Sequence, residues 1–157
     1  MQVQYRHEYA APVTLVWDVL LDPEVLSKRL PGCKGLQPVE PGVYDATMEL
    51  AVGPVKGTFG GRVQVADLAP PHSYRLSVEG GGGPGQVRGQ GLIRLEQGTD
   101  GRTVVDVTGD VTVTGVLAGV GQRLLGSVAR MMIGQFFKSL EQDVVARLSS
   151  PRAAAGA

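Results

Sequence analysis

The chain has 157 residues, 43% of them hydrophobic and 19% charged, with fifteen basic side chains against fifteen acidic ones. That is one domain's length with enough apolar material for a substantial core, and the composition is globular, not disordered. A neutral chain without a lysine or arginine cluster has no electrostatic footprint for DNA or RNA, so nucleic acid is not an expected partner.

The first residues, MQVQYRHEY, alternate and contain no apolar run, so they do not read as a secretory signal. The chain has no uninterrupted apolar window of about 18 residues, the length of a membrane-spanning helix. Cys33 is the single cysteine. It excludes an internal disulfide framework and fits a reducing compartment, which makes a cytoplasmic location the expectation. A nucleophilic cysteine needs a base beside it and no such motif is present, so Cys33 reads as structural.

Residues 2–9 alternate, with Val3, Tyr5, His7 and Tyr9 on one side, as in a half-buried strand. Pro12 opens an apolar helical pattern through Val13, Val16, Trp17 and Leu20. A second short helix follows, with Asp22 as its N-cap and Pro31-Gly32 as its stop. Residues 33–115 read as strand and turn, with a strand over 33–39. The segment VYDATMELAV sets Tyr44, Ala46, Met48, Leu50 and Val52 on one face. After Gly53-Pro54 the next strand turns Val55, Phe59, Val63 and Val65 inward. Three more strands follow, separated by GGGGPG and GTDG.

The stretch VGPVKGTFGG, residues 52–61, sets a lysine among glycines. A phosphate loop must lead from a strand into a helix N-terminus, and here a Gly-Pro turn joins two alternating strands, so the stretch reads as a β-hairpin. Its glycines raise a second question. Gly57 and Gly61 share the inward parity of Phe59, Gly89 and Gly91 that of Ile93, and Gly109 that of Val107. Two explanations stand side by side: glycine permits the coiling of a wrapped sheet, or bulk is omitted to leave room for a ligand. The second predicts a cavity between the sheet and the last helix.

Residues 116–148 change to helical period, with Leu125, Val128, Met132, Phe136 and Leu140 on one side of a long amphipathic helix. Core packing is one reading of its methionines and phenylalanines; a flexible wall for an oily guest is the other. One strand, two short helices, a run of antiparallel strands and a closing helix predict an α+β helix-grip fold over residues 1–148, with 149–157 as a disordered tail or linker.

Chemistry is sparse. Two separated histidines and one cysteine make no metal signature. Asp45 with Glu49, and Asp106 with Asp110, fall on the outer parity and read as solvated faces, not acid–base pairs. His72 reads as surface. His7 is the one imidazole aimed inward, either satisfied by a neighbouring hydroxyl or donating to the polar end of an apolar ligand.

The segments APVTLVWDVLLDPEVLSKRLPGCKGL, GPVKGTFGGRVQVADLAPPHSYRLSVEG and VARMMIGQFFKSL together resemble the carbon monoxide dehydrogenase G-subunit family of the START-like, or SRPBCC, superfamily. The likeness runs from residue 1 to about 148. It implies a helix-grip fold around a hydrophobic pocket, no catalytic signature, and no covalent cofactor. It also implies association with a molybdenum-containing CO dehydrogenase-type hydroxylase at the inner face of the cell membrane. The expected function is that of a non-enzymatic carrier for a hydrophobic small molecule, a respiratory quinone above all. The alternatives are a pure recruitment module and a START-like cyclase or hydratase. The expected ligand-binding residues are His7 and Tyr9 on the first strand, Met48, Leu50 and Phe59 on the hairpin, and Gly89 and Gly91. From the last helix they are Leu125, Val128, Met132 and Phe136. Members of the family often reach the membrane through a C-terminal extension. Residues 1–157, with no net positive charge, are expected to bind liposomes weakly or not at all.

Overall fold

The structure, a computed structural model, describes residues 1–149. The tail expected over 149–157 falls, from position 150 onward, outside the described residues. Strand β1 (Gln2–Tyr9) leads into helices α1 (Val13–Leu20) and α2 (Pro23–Arg29). Six strands follow as a meander: β2 (Cys33–Glu40), β3 (Val43–Val52), β4 (Val55–Ala69), β5 (Ser73–Gly82), β6 (Gly85–Gln97) and β7 (Thr103–Thr114). Helix α3 (Gln122–Leu148) is the last of the described elements. The seven strands form one antiparallel sheet in the order β1-β7-β6-β5-β4-β3-β2. Each hairpin pairs consecutive strands, and β1 takes the free edge of β7, with Gln2 opposite Asp110 and Tyr9 opposite Thr103. This is the α+β helix-grip fold that the alternation of periods predicts.

Local signals account for most element ends. The Asp22 carboxylate accepts the Glu24 N–H at 3.0 Å and caps α2. Pro12 precedes the first turn of α1 in an extended conformation, one place before the expected position. The last helix also differs from expectation, beginning at Gln122 and not at 116. Residues 116–120 form a 3-10 turn instead, and Gly121, at φ 95°, breaks it from α3. The α-helix is therefore about 40 Å long, not the roughly 50 Å implied by a helix from residue 116.

The interior is divided. One cluster joins Tyr9, Val16, Leu20, Val105, Leu140 and Val144 with further residues of α1, β5, β6 and α3. Val19, Val105 and Leu140 in it are fully buried, and truncating such a leucine costs about 2–5 kcal/mol. The C-terminal half of α3 is also tied by ion pairs to α2 and its cap. The Arg29 guanidinium donates to Asp143 at 2.9 Å, and Arg147 pairs with Asp22. At the other end of the sheet a smaller cluster buries only Val52, Phe59 and Leu117.

Between the clusters runs a belt of small inward residues. Val63, Val78, Gly89 and Val111 stand in one row across four strands, and Gly61 faces Gly80 while Gly91 faces Gly109 in neighbouring rows. The structure shows what some of these glycines are for. A Cβ on Gly61 would lie 2.5 Å from the Glu79 carbonyl oxygen, and one on Gly109 would lie 2.7 Å from that of Gln90. At Gly57 the space is taken by the Pro84 ring. These three positions serve close approach of neighbouring chain segments, so the reading of omitted bulk fails for them.

Candidate functional site

The expected ligand-binding residues divide between the two clusters and the belt. Met48, Leu50, Phe59, Leu125 and Val128 come together in the smaller cluster, where all but Phe59 remain half-buried. Alternation places Met48 and Leu50 on the inner face of β3, opposite Phe59 and Gly57 of β4. Leu125 and Val128 reach them from the first turns of α3. Met132 is half-buried one turn further along. Gly89 and Gly91 lie in the belt. A Cβ on Gly89 would meet the Val78 Cγ2 at 3.0 Å, and one on Gly91 the Thr108 carbonyl oxygen at 3.2 Å. Tyr9 is buried within the larger cluster, and Phe136 is partly buried against it.

The apolar wall includes residues that sequence reasoning did not select. Val52 and Leu117 are buried in the smaller cluster, with Val55, Val87, Val113 and Val120 half-buried around them. The strand valines were recognisable as inward by parity. Leu117 was hidden by the helix expected there; the 3-10 turn swings it under the sheet end, where its N–H donates to the Pro84 carbonyl at 2.7 Å. Many branched apolar groups here surround few fully buried ones. The arrangement is apolar and incompletely covered by its own side chains.

His7 is held on both sides. Its Nε2 lies 2.8 Å from a Glu141 carboxylate oxygen and its Nδ1 lies 3.2 Å from the Tyr5 hydroxyl. A carboxylate only accepts, so Nε2 carries hydrogen, and in the neutral imidazole Nδ1 accepts from Tyr5. Of the two readings of His7, the geometry is that of the satisfied histidine. Its neighbour Tyr9 is buried and donates to the Phe137 carbonyl at 2.6 Å. Loss of hydration, with the Glu141 charge adding to it, raises the Tyr9 phenol above its ordinary value.

The remaining candidates for chemistry are accounted for. Asp45 pairs with Arg62, Glu49 with Lys34 and Asp106 with Arg6, all on the outer face. His72 is exposed, and the Cys33 thiol, half-buried, points to the Gly35 carbonyl at 3.5 Å. Among the described residues no group of three or more His, Cys, Asp or Glu is placed to hold a metal ion. No described helix is long and apolar enough to cross a membrane. Two open grooves, about 540 and 380 Å³, lie mainly along outward residues of β1, β6 and β7, such as Gln4, Leu92 and Thr108. Neither is the space between sheet and α3 that the glycine parity predicted.

An antiparallel sheet gripping a long helix, with a half-buried apolar cluster at one end, is a helix-grip fold of the START-like kind. Similar solved structures agree. An aromatase/cyclase from Streptomyces sp. R1128 has a TM-score of 0.72 at 16% identity, covering 96% of each chain. A START superfamily protein from Mycobacterium smegmatis has a TM-score of 0.71 at 16% identity, covering 92% of this chain and 97% of that one. At such identities the likeness is one of fold alone. A conserved protein from Geobacillus kaustophilus is nearer, with a TM-score of 0.89 and 36% identity over 93% of this chain and 96% of that one. Residues 7–145 match the carbon monoxide dehydrogenase G-subunit (CoxG) family, and the chain belongs to that family. No curated protein matches it by sequence.

Proposed function

We propose that this protein is a non-catalytic carrier for a hydrophobic small molecule, a respiratory quinone, in the service of a molybdenum-containing CO dehydrogenase-type enzyme. The observation that carries the reading is the smaller cluster. Met48, Leu50, Val87, Val113, Leu125 and Val128 all pack against this one cluster yet stay half-buried. Apolar surface left incompletely covered forfeits packing and hydrophobic free energy that a lipophilic guest restores. Family membership supports the enzyme partner, because the family is named for a component of CO dehydrogenase. A cyclase-type activity needs an inward acid or base free to move a proton. The inward imidazole, His7, has both nitrogens engaged.

The test is mass spectrometry of organic extracts from the purified protein, followed by titration of the emptied protein with menaquinone and ubiquinone-1. A stoichiometric isoprenoid quinone in the extract is the expected result. Val128→Trp, which adds bulk to the smaller cluster from α3, is expected to fold and to weaken quinone binding at least tenfold. Absence of any lipophilic molecule from the extract, together with no saturable titration, would overturn the carrier reading.

A further inference from the structure

Tyr5 is an inward residue of β1, half-buried, with its ring stacked on Phe137 at 5.5 Å. While His7 is neutral, the Tyr5 hydroxyl donates to Nδ1 at 3.2 Å, and Nε2 donates to Glu141 at 2.8 Å. The phenol oxygen is left with lone pairs to offer and no hydrogen to give. Among the described residues nothing donates to it. The Glu141 side chain is 50% exposed and that of His7 only 15%, so the carboxylate end of this chain of three is the wet one. Tyr9 also stands against His7, its hydroxyl committed to the Phe137 carbonyl, together with the apolar Phe137 and Val105.

Helix α3 presents Gly134 to this phenol. The atoms nearest to a Cβ built there all belong to Tyr5, at 3.7 to 3.9 Å, which is ordinary contact. Unlike Gly61 and Gly109, Gly134 is therefore not demanded by close approach of a backbone, and glycine inside a helix lowers its stability. Its effect is to leave a side chain's worth of space beside the hydroxyl. On the sheet, the next row toward the smaller cluster is Val3, Gly109 and Gly91, without a side chain at two of its three positions. Val128 of that cluster precedes Gly134 by about 9 Å along the helix axis. A ring bearing one isoprene unit spans that length.

We infer that Tyr5 is the polar anchor for the guest, and that its oxygen selects a ring bearing hydroxyl groups, a quinol, over the corresponding quinone. The inference rests on the carrier reading and specifies which chemical form of the guest that site prefers. A quinol hydroxyl donates to the Tyr5 oxygen. A quinone carbonyl meets an oxygen with no hydrogen to offer, which leaves two acceptors facing each other. Protonation of His7 reverses the direction: Nδ1 then donates to the Tyr5 oxygen, and the phenol hydrogen turns to the guest. Acid therefore favours the carbonyl form. No electron moves in either case, and binding alone tells the two forms apart.

The experiment is anaerobic titration of the protein with ubiquinol-1 and with ubiquinone-1, at pH 8 and at pH 5.5. Expected at pH 8 is at least tenfold tighter binding of the quinol, with a preference at least fivefold smaller at pH 5.5. Tyr5→Phe is expected to bind both forms equally at both pH values. His7→Leu frees the phenol hydrogen, so it is expected to lose the pH dependence and to bind the quinone more tightly than the parent at pH 8. Gly134→Leu fills the space beside the phenol and is expected to weaken both forms at least tenfold. Thermal melting establishes that each variant is folded. Nitrogen NMR of the imidazole, with no guest present, is expected to show hydrogen on Nε2 at pH 8; hydrogen on Nδ1 instead would overturn the inference. So would equal affinity of the parent for the two forms, or a preference that survives in Tyr5→Phe, and either result leaves the carrier reading standing. No saturable binding of either form would overturn both.

Discussion

Tyr9 and Tyr74 place phenols in the interior, at 2% and 5% exposure. Tyr74 stands edge-on to Trp17 at 5.5 Å, and burial raises its phenol above the ordinary value as it does for Tyr9. Unfolded tyrosine ionises at about pH 10, while both groups stay protonated in the fold beyond that. The unfolded chain therefore binds fewer protons above that pH, and stability falls as pH rises. Below it these two groups contribute no pH dependence. Each is expected to steepen the alkaline loss by up to about 1.4 kcal/mol per pH unit. Urea unfolding between pH 8 and 11 measures this, and Tyr9→Phe should flatten the slope. At neutral pH the same variant loses one hydrogen bond to Phe137, about 0.5–1.5 kcal/mol. The parity of β1 makes Tyr9 and His7 legible as inward residues. Glu141, which engages His7 across 134 positions of sequence, is not legible, because nothing local to either residue encodes which helix turn will face the strand.

Among the elements, the glycine belt crosses β4, β5, β6 and β7 in regular register. Gly109→Ala is expected to cost about 1–3 kcal/mol, because its Cβ meets the Gln90 carbonyl and one of the strands must shift. Gly60→Ala is the control: nothing lies within 4 Å of its Cβ, on the outward face of β4. Thermal melts of the two variants test the assignment, and equal stabilities would contradict it. Gly89 differs from Gly109, since its nearest neighbour is a methyl of Val78 at 3.0 Å and not a backbone carbonyl, so a small side chain there displaces a side chain and not a strand. Leucine at Gly91 presses toward the Thr108 carbonyl, so lowered stability is expected there alongside any loss of ligand. Sequence parity shows that these glycines face inward. It does not show whether a missing side chain leaves empty space or admits a neighbouring backbone, since that depends on sheet curvature.

Across the whole molecule, α3 spans two unequal environments. Its C-terminal half buries Phe137, Leu140 and Val144 and holds the ion pairs to Asp22 and Arg29. Its N-terminal half buries Gly126 alone and rests Leu125 and Val128 on the smaller cluster. Local opening follows buried contact, so amides of residues 124–132 are expected to exchange with deuterium at least tenfold faster than those of 137–147. Uniform protection along the helix would contradict the division. A quinone bound at the smaller cluster is expected to slow exchange in the N-terminal half selectively, because it supplies the missing contacts.

Periodicity by itself determined the strands, the inner faces of β1, β3, β4, β6 and β7, a long last helix and hence the helix grip, because alternation at two and at 3.6 residues is a local property of the chain. The segments DPEVLSKRLPGC and GPVKGTFGG likewise carry the family resemblance without any coordinates. Only tertiary structure decided that the core divides in two, that three turns and the start of α3 gather at one end of the sheet, and that Pro84 and the neighbouring strands fill spaces that parity alone had left open. Those outcomes depend on how strongly the sheet coils and where α3 crosses it. Both are set by contacts between residues far apart in the chain.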